Sequence, residues 1–101
     1  MSQTTDLQVE HNEADSRFEV RLDEHIAQLQ YKLQGEEITF IHTEVPPPFA
    51  GKGVGGKLAK AGLEYAKAKG LTVVAQCPFI SGYIGKHPEY AGLLKPGVSQ
   101  A

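Results

Sequence analysis

The sequence contains a single cysteine, Cys77, which excludes both an internal disulfide and the paired cysteines of a CxxC metal site. Histidines are also few and widely spaced, so no HxxxH pair is present and we expect no metal site. No apolar run approaches the ~20 residues that a membrane-spanning helix needs. We therefore expect a protein with no metal, no membrane association and a reduced thiol.

Basic charge is scarce as well, because 10 Lys and Arg residues stand against 12 Asp and Glu residues. Broad nucleic-acid binding depends on a concentrated basic field, so we expect no nucleic-acid partner. Residues 1–15 have neither the basic leader nor the apolar segment of a signal peptide, which predicts a cytoplasmic protein. The length fits one domain, predicted at residues 6–95 with flexible tails over 1–5 and 96–101. We expect a monomer or a weak homodimer.

Apolar and polar residues alternate through the first half of the chain, with the period of two that β-strands show. Turn residues such as Gly35 separate the alternating segments. The last segment is apolar on both faces, as in a central strand, and prolines end it at about Val45. We predict an antiparallel meander of three or four strands over residues 7–12, 17–22, 26–33 and 38–45.

The apolar spacing changes to that of a helix in the second half of the chain. Gly70 suits the residue that follows a helix, so we predict a helix over residues 54–69. An apolar strand at 71–76 then follows a crossover helix and should lie parallel to the last strand of the meander. With a short helix at 79–86, the predicted fold class is α+β: a β-meander, a crossover helix, a parallel strand and a short C-terminal helix.

The segment AGKGVGGKL, residues 50–58, fits three phosphate-binding patterns. The P-loop pattern GxxxxGK fails at Leu58, where a Ser or Thr hydroxyl would hold Mg²⁺. The dinucleotide fingerprint GxGxxG fails because Gln76 and Cys77 stand where a carboxylate should bind a ribose hydroxyl. The third pattern is the GxG of an acyl-CoA-binding loop.

The glycines of residues 51–56 are more numerous than a tight turn requires, since each ordered glycine costs about 0.5–1 kcal/mol relative to alanine. At the start of a helix, their N–H groups would lie beside the positive end of the helix dipole, which favours an anion. The alternative is that the glycines only form a turn and a close helix–sheet contact.

Further motifs surround this loop within residues 42–94, in the order HTEVPPPFAGKGVG, CPF, YI and HPEY. Together they resemble the small, single-domain GNAT-like N-acetyltransferase family, whose pattern is HTxVPxxxxGKGxG…CPF…YI…HPEY. The resemblance covers about half of the chain. It implies a GNAT-like fold and an acetyl-CoA-dependent enzyme that transfers acetyl to an amine of an unknown acceptor, such as a protein or peptide.

The resemblance also implies which residues bind acetyl-CoA. The strand before the loop would pair with the pantetheine arm, and the N–H groups of the loop would bind the pyrophosphate. The chain departs from the superfamily at Ala50, where Gln or Arg is usual, so the grip on CoA would come from backbone donors. The predicted cofactor-binding residues are Thr43, Val45, Gly51, Lys52, Gly53, Val54, Gly55, Gly56, Lys57, Cys77, Phe79 and Tyr83.

The candidate catalytic residues are Cys77, His42, Glu44 and Tyr83. Cys77 would act as a nucleophile if His42 or a helix N-terminus favoured its thiolate; otherwise it is a small buried hydrophobe. His42 and Glu44 stand two apart on one strand, so they share a face and either could accept the proton of the amine. Their structural alternatives are a hydrogen-bonded sheet residue and a solvated carboxylate.

Tyr83 is the candidate acid for the departing CoA thiolate, although the family's tyrosine position falls on Ile84. We interpret HPEY, residues 87–90, mainly as a helix stop that docks the C-terminal tail, with Lys86 or His87 near a phosphate as the alternative. Two routes stay open: direct attack by the amine, and an acyl-enzyme on Cys77. The alternative function is a CoA-binding module with little or no catalysis.

Overall fold

The computed structural model describes residues 8–94, which build one five-stranded sheet and the helices that pack on it. Strand order in the sheet follows the chain; the first four strands are antiparallel neighbours, and the fifth is parallel to the fourth. This confirms the predicted α+β architecture. The predicted tails, and the ends of the predicted domain at residues 6 and 95, lie outside the described residues. The strands are β1 Glu10–Asn12, β2 Arg17–Leu22, β3 His25–Gln34, β4 Glu37–Glu44 and β5 Thr72–Ala75.

The helices follow the predicted order. The crossover helix ends where predicted, because Gly70 adopts a left-handed conformation with φ 68° and its N–H bonds to the carbonyls of Ala66 and Lys67. Among the described helices, none is long and apolar enough to cross a membrane. The α-helices are α1 Val54–Lys69 and α2 Pro78–Lys86, and short 3₁₀ turns cover Pro47–Phe49 and Pro88–Leu93.

Helix α1 packs on one face of the sheet, over β2 and β3. The two elements pack tightly at Gly62, where a Cβ atom would lie 2.8 Å from Cε1 of Phe40 and 3.0 Å from Cδ2 of Leu29. Only a glycine lets the backbone of α1 come this close to the Phe40 ring and the Leu29 methyl group without displacing them. The buried residues of α1 are Val54, Leu58, Ala59, Gly62, Leu63 and Ala66.

The face of the sheet opposite α1 is polar and buries one carboxylate. Alternation along β2 places Phe18 against α1 and Glu19 on the other face, yet the Glu19 side chain is only 2% exposed. Asn12 donates to Glu19 at 3.0 Å, and the guanidinium groups of Arg17 and Arg21 bind the same carboxylate. The Asn12 hydrogen bond and the two arginines hold the pKa of Glu19 below its ordinary value, against the opposing effect of burial.

The HPEY segment docks the end of the described chain against α1. Tyr90 is buried, and its hydroxyl donates to the Glu64 carboxylate of α1 at 2.6 Å, a bond that raises the pKa of Tyr90. Beyond the turn, Leu94 forms a parallel bridge with Val73 of β5. These contacts agree with the structural interpretation of HPEY.

His11 of β1 belongs to an aromatic cluster at the edge of the core. Its ring stacks on Phe18 with centroids 4.2 Å apart, meets Tyr65 edge-on, and places Nε2 2.6 Å from the Tyr31 hydroxyl. Burial lowers the pKa of His11, with Glu13 acting weakly in the opposite direction. The folded state therefore favours the neutral imidazole.

Replacing Gly62 with Ala is expected to destabilise the fold by about 1–3 kcal/mol, because the added methyl group overpacks against Phe40 and Leu29. Urea denaturation measures the change in the free energy of unfolding. Gly85→Ala in α2 is the matched control: a Cβ there meets nothing within 4 Å, so its better helix propensity should preserve or increase stability. Equal stability changes in the two variants would contradict close packing at Gly62.

The neutral His11 ring predicts a pH dependence of stability. Because the pKa of His11 is lower in the folded state, its contribution is present above the unfolded pKa of about 6.5 and is lost as pH falls below that value through the lower folded pKa. The wild-type protein should lose more unfolding free energy between about pH 7.5 and 5.5 than His11→Phe, which keeps an aromatic ring but cannot titrate. Urea denaturation at both pH values tests this, and parallel losses would rule it out.

Candidate functional site

Strands β4 and β5 separate beside the glycine-rich loop. Their parallel register runs from Glu37 opposite Thr72 to Phe40 opposite Ala75, whereas β4 continues to pair with β3 as far as Glu44. The N–H of Cys77 donates to the Phe40 carbonyl at 3.0 Å, and this is the last backbone hydrogen bond between β4 and the segment that follows β5. The edge of β4 at the predicted cofactor-binding residue Thr43, and Val45 directly after the strand, therefore lie along a gap.

A β-bulge at Ile41 decides which side chains of β4 face this gap. Phe40 pairs with Tyr31 and His42 pairs with the next residue of β3, Gln30, so Ile41 is an extra residue without a partner. Since the extra residue shifts the alternation by one, Thr43 shares the α1 side of the sheet with Phe40. His42 and Glu44 project from the opposite, polar face.

Cys77 and Thr43 meet across the gap, with Sγ 3.2 Å from the threonine Oγ1. The thiol is buried. Cys77 is the N-cap residue of α2 without a side-chain capping bond, and Pro78 occupies the first turn as expected. The thiol therefore lies at the start of a helix, as the nucleophile hypothesis requires, with the Thr43 hydroxyl as its hydrogen-bond partner. The sequence identified Thr43 only through its backbone, because its side-chain contact depends on the bulge.

His42 and Glu44 share a face, as predicted, and both are exposed. The Glu44 carboxylate accepts a hydrogen bond from Nε2 of Gln28 at 3.3 Å on that face. The sheet lies between this pair and the Cys77 thiol, so the geometry does not support activation of Cys77 by His42. Their predicted role as bases for an amine would require the amine to enter from the polar face.

The glycine-rich loop presents unused backbone donors at the N-terminus of α1. Phe49 is buried beneath it, Gly53 caps the helix in a left-handed conformation with φ 68° and no side chain, and the first helical bond joins the Lys57 N–H to the Gly53 carbonyl at 3.1 Å. The Lys52 N–H is engaged by the Phe49 carbonyl at 3.1 Å, so any role for Lys52 rests on its exposed ammonium group. Within residues 8–94, no acceptor binds the N–H groups of Gly51, Gly53, Val54, Gly55 and Gly56.

Two aromatic residues of α2 lie against these donors. A Cβ at Gly55 would come within 2.8 Å of Cζ of Phe79, and one at Gly56 would lie 3.9 Å from Cε2 of Tyr83. Glycine at position 55 therefore gives the Phe79 ring its place beside the helix N-terminus. The structure thus brings the predicted cofactor-binding residues of the loop and of α2 together.

Tyr83 is less well placed for the predicted proton transfer. Its ring stacks on His87 with centroids 4.1 Å apart, and burial together with Glu89 and Glu64 raises the pKa of its hydroxyl. A raised pKa keeps the hydroxyl protonated, as an acid requires. However, Tyr83 lies six residues after Cys77, a rise of roughly 9 Å along a helix, and so is not adjacent to the thiol. Its catalytic role stays a prediction.

The described part of the chain contains no cluster of side chains that could bind a metal ion. No group of three or more His, Cys, Asp or Glu residues there could hold an ion. The site is instead built from backbone N–H groups, an open strand edge, a thiol and two aromatic rings, a set that suits an anionic ligand with an extended arm.

Comparisons with known proteins agree with this geometry. A family model described as GCN5-related N-acetyl-transferase matches residues 17–93. The chain is 34% identical to protein NATD1 of Gallus gallus, over 95% of this chain and 92% of the relative. It is 33% identical to protein NATD1 of Homo sapiens, over 95% and 89% of the two chains.

A solved structure shares the fold. The solution structure of a GCN5-like putative N-acetyltransferase from Staphylococcus aureus superposes with a TM-score of 0.72 at 28% sequence identity. The match covers 95% of this chain and 94% of that protein, so sheet, crossover helix and C-terminal helix are all included.

The contact between Thr43 and Cys77 predicts how reactive the thiol is. Thr43→Val removes a hydroxyl 3.2 Å from Sγ and is expected to slow alkylation by iodoacetamide about two- to fivefold, because Sγ loses its hydrogen-bond partner. Cys77 is the only cysteine, so the rate of mass increase at fixed pH reports it directly. Thr39→Val, on the other face of β4 opposite Lys32, is the control. Equal rates in both variants would refute the hydroxyl's role.

Proposed function

The chain belongs to the GCN5-related N-acetyltransferase family, and from this premise we propose that it transfers acetyl from acetyl-CoA to an amine in the cytoplasm. The observation that carries the proposal is the pairing of a strand gap with free backbone donors. The gap beside Thr43 and Val45 accommodates an extended pantetheine arm, which can pair with the open strand edge. The N–H groups of Gly53 to Gly56 and the helix dipole suit the pyrophosphate.

The exposed Lys52 and Lys57 add positive charge beside these donors. Their ammonium groups attract an anion without fixing its geometry, which the backbone does. Ala50 supplies no side chain for the pyrophosphate, so affinity for CoA depends on the backbone cradle and on what α2 contributes.

In the direct route, the amine nitrogen attacks the thioester carbonyl carbon. A C–N bond forms, the C–S bond breaks, and CoA leaves as a thiolate. The aminium proton passes to His42 or Glu44, directly or through water. Both side chains lie on the polar face, so the amine enters from that side and meets the thioester at the gap beside β4. Tyr83, whose hydroxyl stays protonated, is the proposed proton donor to the thiolate.

In the covalent variant, the Cys77 thiolate attacks the thioester first. CoA departs, and the amine then attacks the acetyl-cysteine and releases the thiolate again. The position of the thiol at the N-terminus of α2, beside Thr43, favours this variant.

The acceptor is proposed to be a protein or a peptide. Within the described residues, no helix covers the polar face of the sheet from which the amine would enter. An uncovered face has no walls to enclose a small acceptor, whereas a macromolecule brings its own surface.

A CoA-binding module with little catalysis is the second candidate. It is favoured by the separation of the proposed acid and bases from the thiol: Tyr83 is packed against His87, and His42 lies across the sheet. Such a module would bind acetyl-CoA through the same loop and gap.

Calorimetry with acetyl-CoA, followed by turnover assays on lysine-containing peptides and proteins, tests the proposal. We expect binding, release of CoA and an acetylated acceptor. Cys77→Ala is expected to lower kcat by at least about 10²-fold if the acyl-enzyme forms, since the nucleophile is lost. Undiminished turnover in that variant would eliminate the covalent route and leave direct attack.

Radiolabelled acetyl-CoA supplies the matching control: in the covalent variant acetyl should appear on the wild-type protein and not on Cys77→Ala, whereas direct attack labels neither protein. Binding of CoA without turnover on any acceptor would favour the module. Absence of CoA and acetyl-CoA binding would overturn both candidates.

A further inference from the structure

Polar side chains form two cross-strand rows on the uncovered face of the sheet. In each row, one residue of each strand from β1 to β4 stands directly opposite its neighbour. Because alternate residues of a strand share a face, both rows lie on the side opposite α1. Each row ends on β4 at one of the two candidate bases. The first row is Glu10, Glu19, Gln28 and Glu44, and the second is Asn12, Arg17, Gln30 and His42.

The β2 part of these rows buries a charge that the proposed chemistry does not use. Glu19 is buried beneath its partners Arg17 and Arg21, although no helix covers this face within residues 8–94. A buried ion pair is weak evidence for stability, because the cost of desolvating both charges offsets much of their attraction. Arg17 binds Glu19 through Nε and directs Nη1 toward β3. The ion pair therefore also fixes where a second donor of Arg17 points.

Gln28 connects the ion pair on β2 to Glu44 on β4. Nη1 of Arg17 donates to Oε1 of Gln28 at 3.2 Å, and Nε2 of Gln30 donates to the same oxygen at 3.4 Å. A reversed amide would set its own NH₂ group against these two donors, so the Gln28 amide has one orientation. Its Nε2 atom then donates to Oε1 of Glu44 at 3.3 Å. The Glu44 carboxylate is thus held by a donor whose direction is fixed from β2.

His42 has no such support. It stands opposite Gln30, but the amide nitrogen of Gln30 is bonded to Gln28 instead. Within residues 8–94, no hydrogen bond or ion pair holds the His42 ring. A base acts most efficiently when it is already placed for the proton that it accepts. Of the two candidate bases, only Glu44 has a fixed position.

We propose that Gln28 is a positioning residue for the transfer reaction: its amide holds the Glu44 carboxylate, and Arg17 fixes the orientation of that amide. This inference rests on the proposed function, because it takes Glu44 to accept the proton of the aminium. Gln28 occupies Oε1 of Glu44, whereas Oε2 has no hydrogen-bond partner among residues 8–94. In the transfer, an N–H bond of the aminium breaks and an O–H bond forms on Oε2. Gln28 keeps its hydrogen bond to Oε1 and exchanges no proton.

A double-mutant cycle tests this role in single-turnover assays, with excess protein so that slow variants stay measurable. Gln28→Met keeps the length of the side chain but removes the donor, so the rate of acetyl transfer should fall about three- to tenfold. The Kd of acetyl-CoA should stay unchanged, because the Gln28 side chain lies across the sheet from the cofactor gap. In a Glu44→Gln background, the same substitution should change the rate less than about twofold, since the carboxylate that it holds is gone.

Gln28→Glu separates the donor role from packing. It keeps the length of the side chain and an acceptor for Arg17, but it presents an oxygen to Glu44 in place of the N–H donor. The rate should fall at least as far as in Gln28→Met, while urea denaturation shows that the fold persists. Gln34→Met, the same substitution at the far end of the polar face of β3, is the control and should keep the wild-type rate.

The outcomes separate this inference from the proposed function. Absence of acetyl transfer by the wild-type protein to any acceptor would overturn both. A wild-type rate in Gln28→Met or Gln28→Glu would overturn only the positioning role and leave the transfer reaction. Equal losses for Gln28→Met with and without the Glu44 carboxylate would do the same, since the effect would then not act through Glu44. An unchanged rate in Glu44→Gln would also overturn the inference and leave His42 as the base.

Discussion

The hydrogen bond from the Cys77 N–H to the Phe40 carbonyl ends the pairing between β4 and the chain that follows β5. Directly after Phe40, the bulge at Ile41 lets β4 continue along β3 while its other edge stays open. This local break opens the gap, aligns Thr43 with the Cys77 thiol and turns His42 to the polar face. The proposed cofactor site and the proposed acceptor side thus lie on opposite faces of the sheet at the same point of β4.

The glycine-rich loop that follows β4 leaves the N-terminus of α1 without a side-chain cap, so its backbone N–H groups are available to a ligand. Gly53 is left-handed with φ 68°, whereas a capping side chain needs extended backbone, so the N–H groups at the start of α1 have no side-chain cap and stay available to an anion. Stability is supplied nearby instead, because Phe49 and Val54 are buried on either side of the loop. Phe79 reaches the same donors over Gly55, so the two helix starts form one surface.

Much of the fold could be predicted from the sequence because its signals are local. Helix α1 covers the predicted residues 54–69, since glycines mark both ends and apolar spacing marks the buried side. The bulge could not be predicted, because one extra residue in an apolar run leaves no mark on its alternation. The Thr43–Cys77 contact joins two distant segments, so the sequence pointed to the loop but not to its surroundings.

The central claim is that the backbone at the start of α1 and the open edge of β4 hold CoA. Titrating ¹⁵N-labelled protein with acetyl-CoA while following the amide resonances tests it most directly. The account predicts the largest shifts at Gly53 to Gly56, at Thr43 and at Val45, with little change at Lys69 and Gly70 at the other end of α1. Shifts that spare the glycines, or that centre on the end of α1, would contradict it.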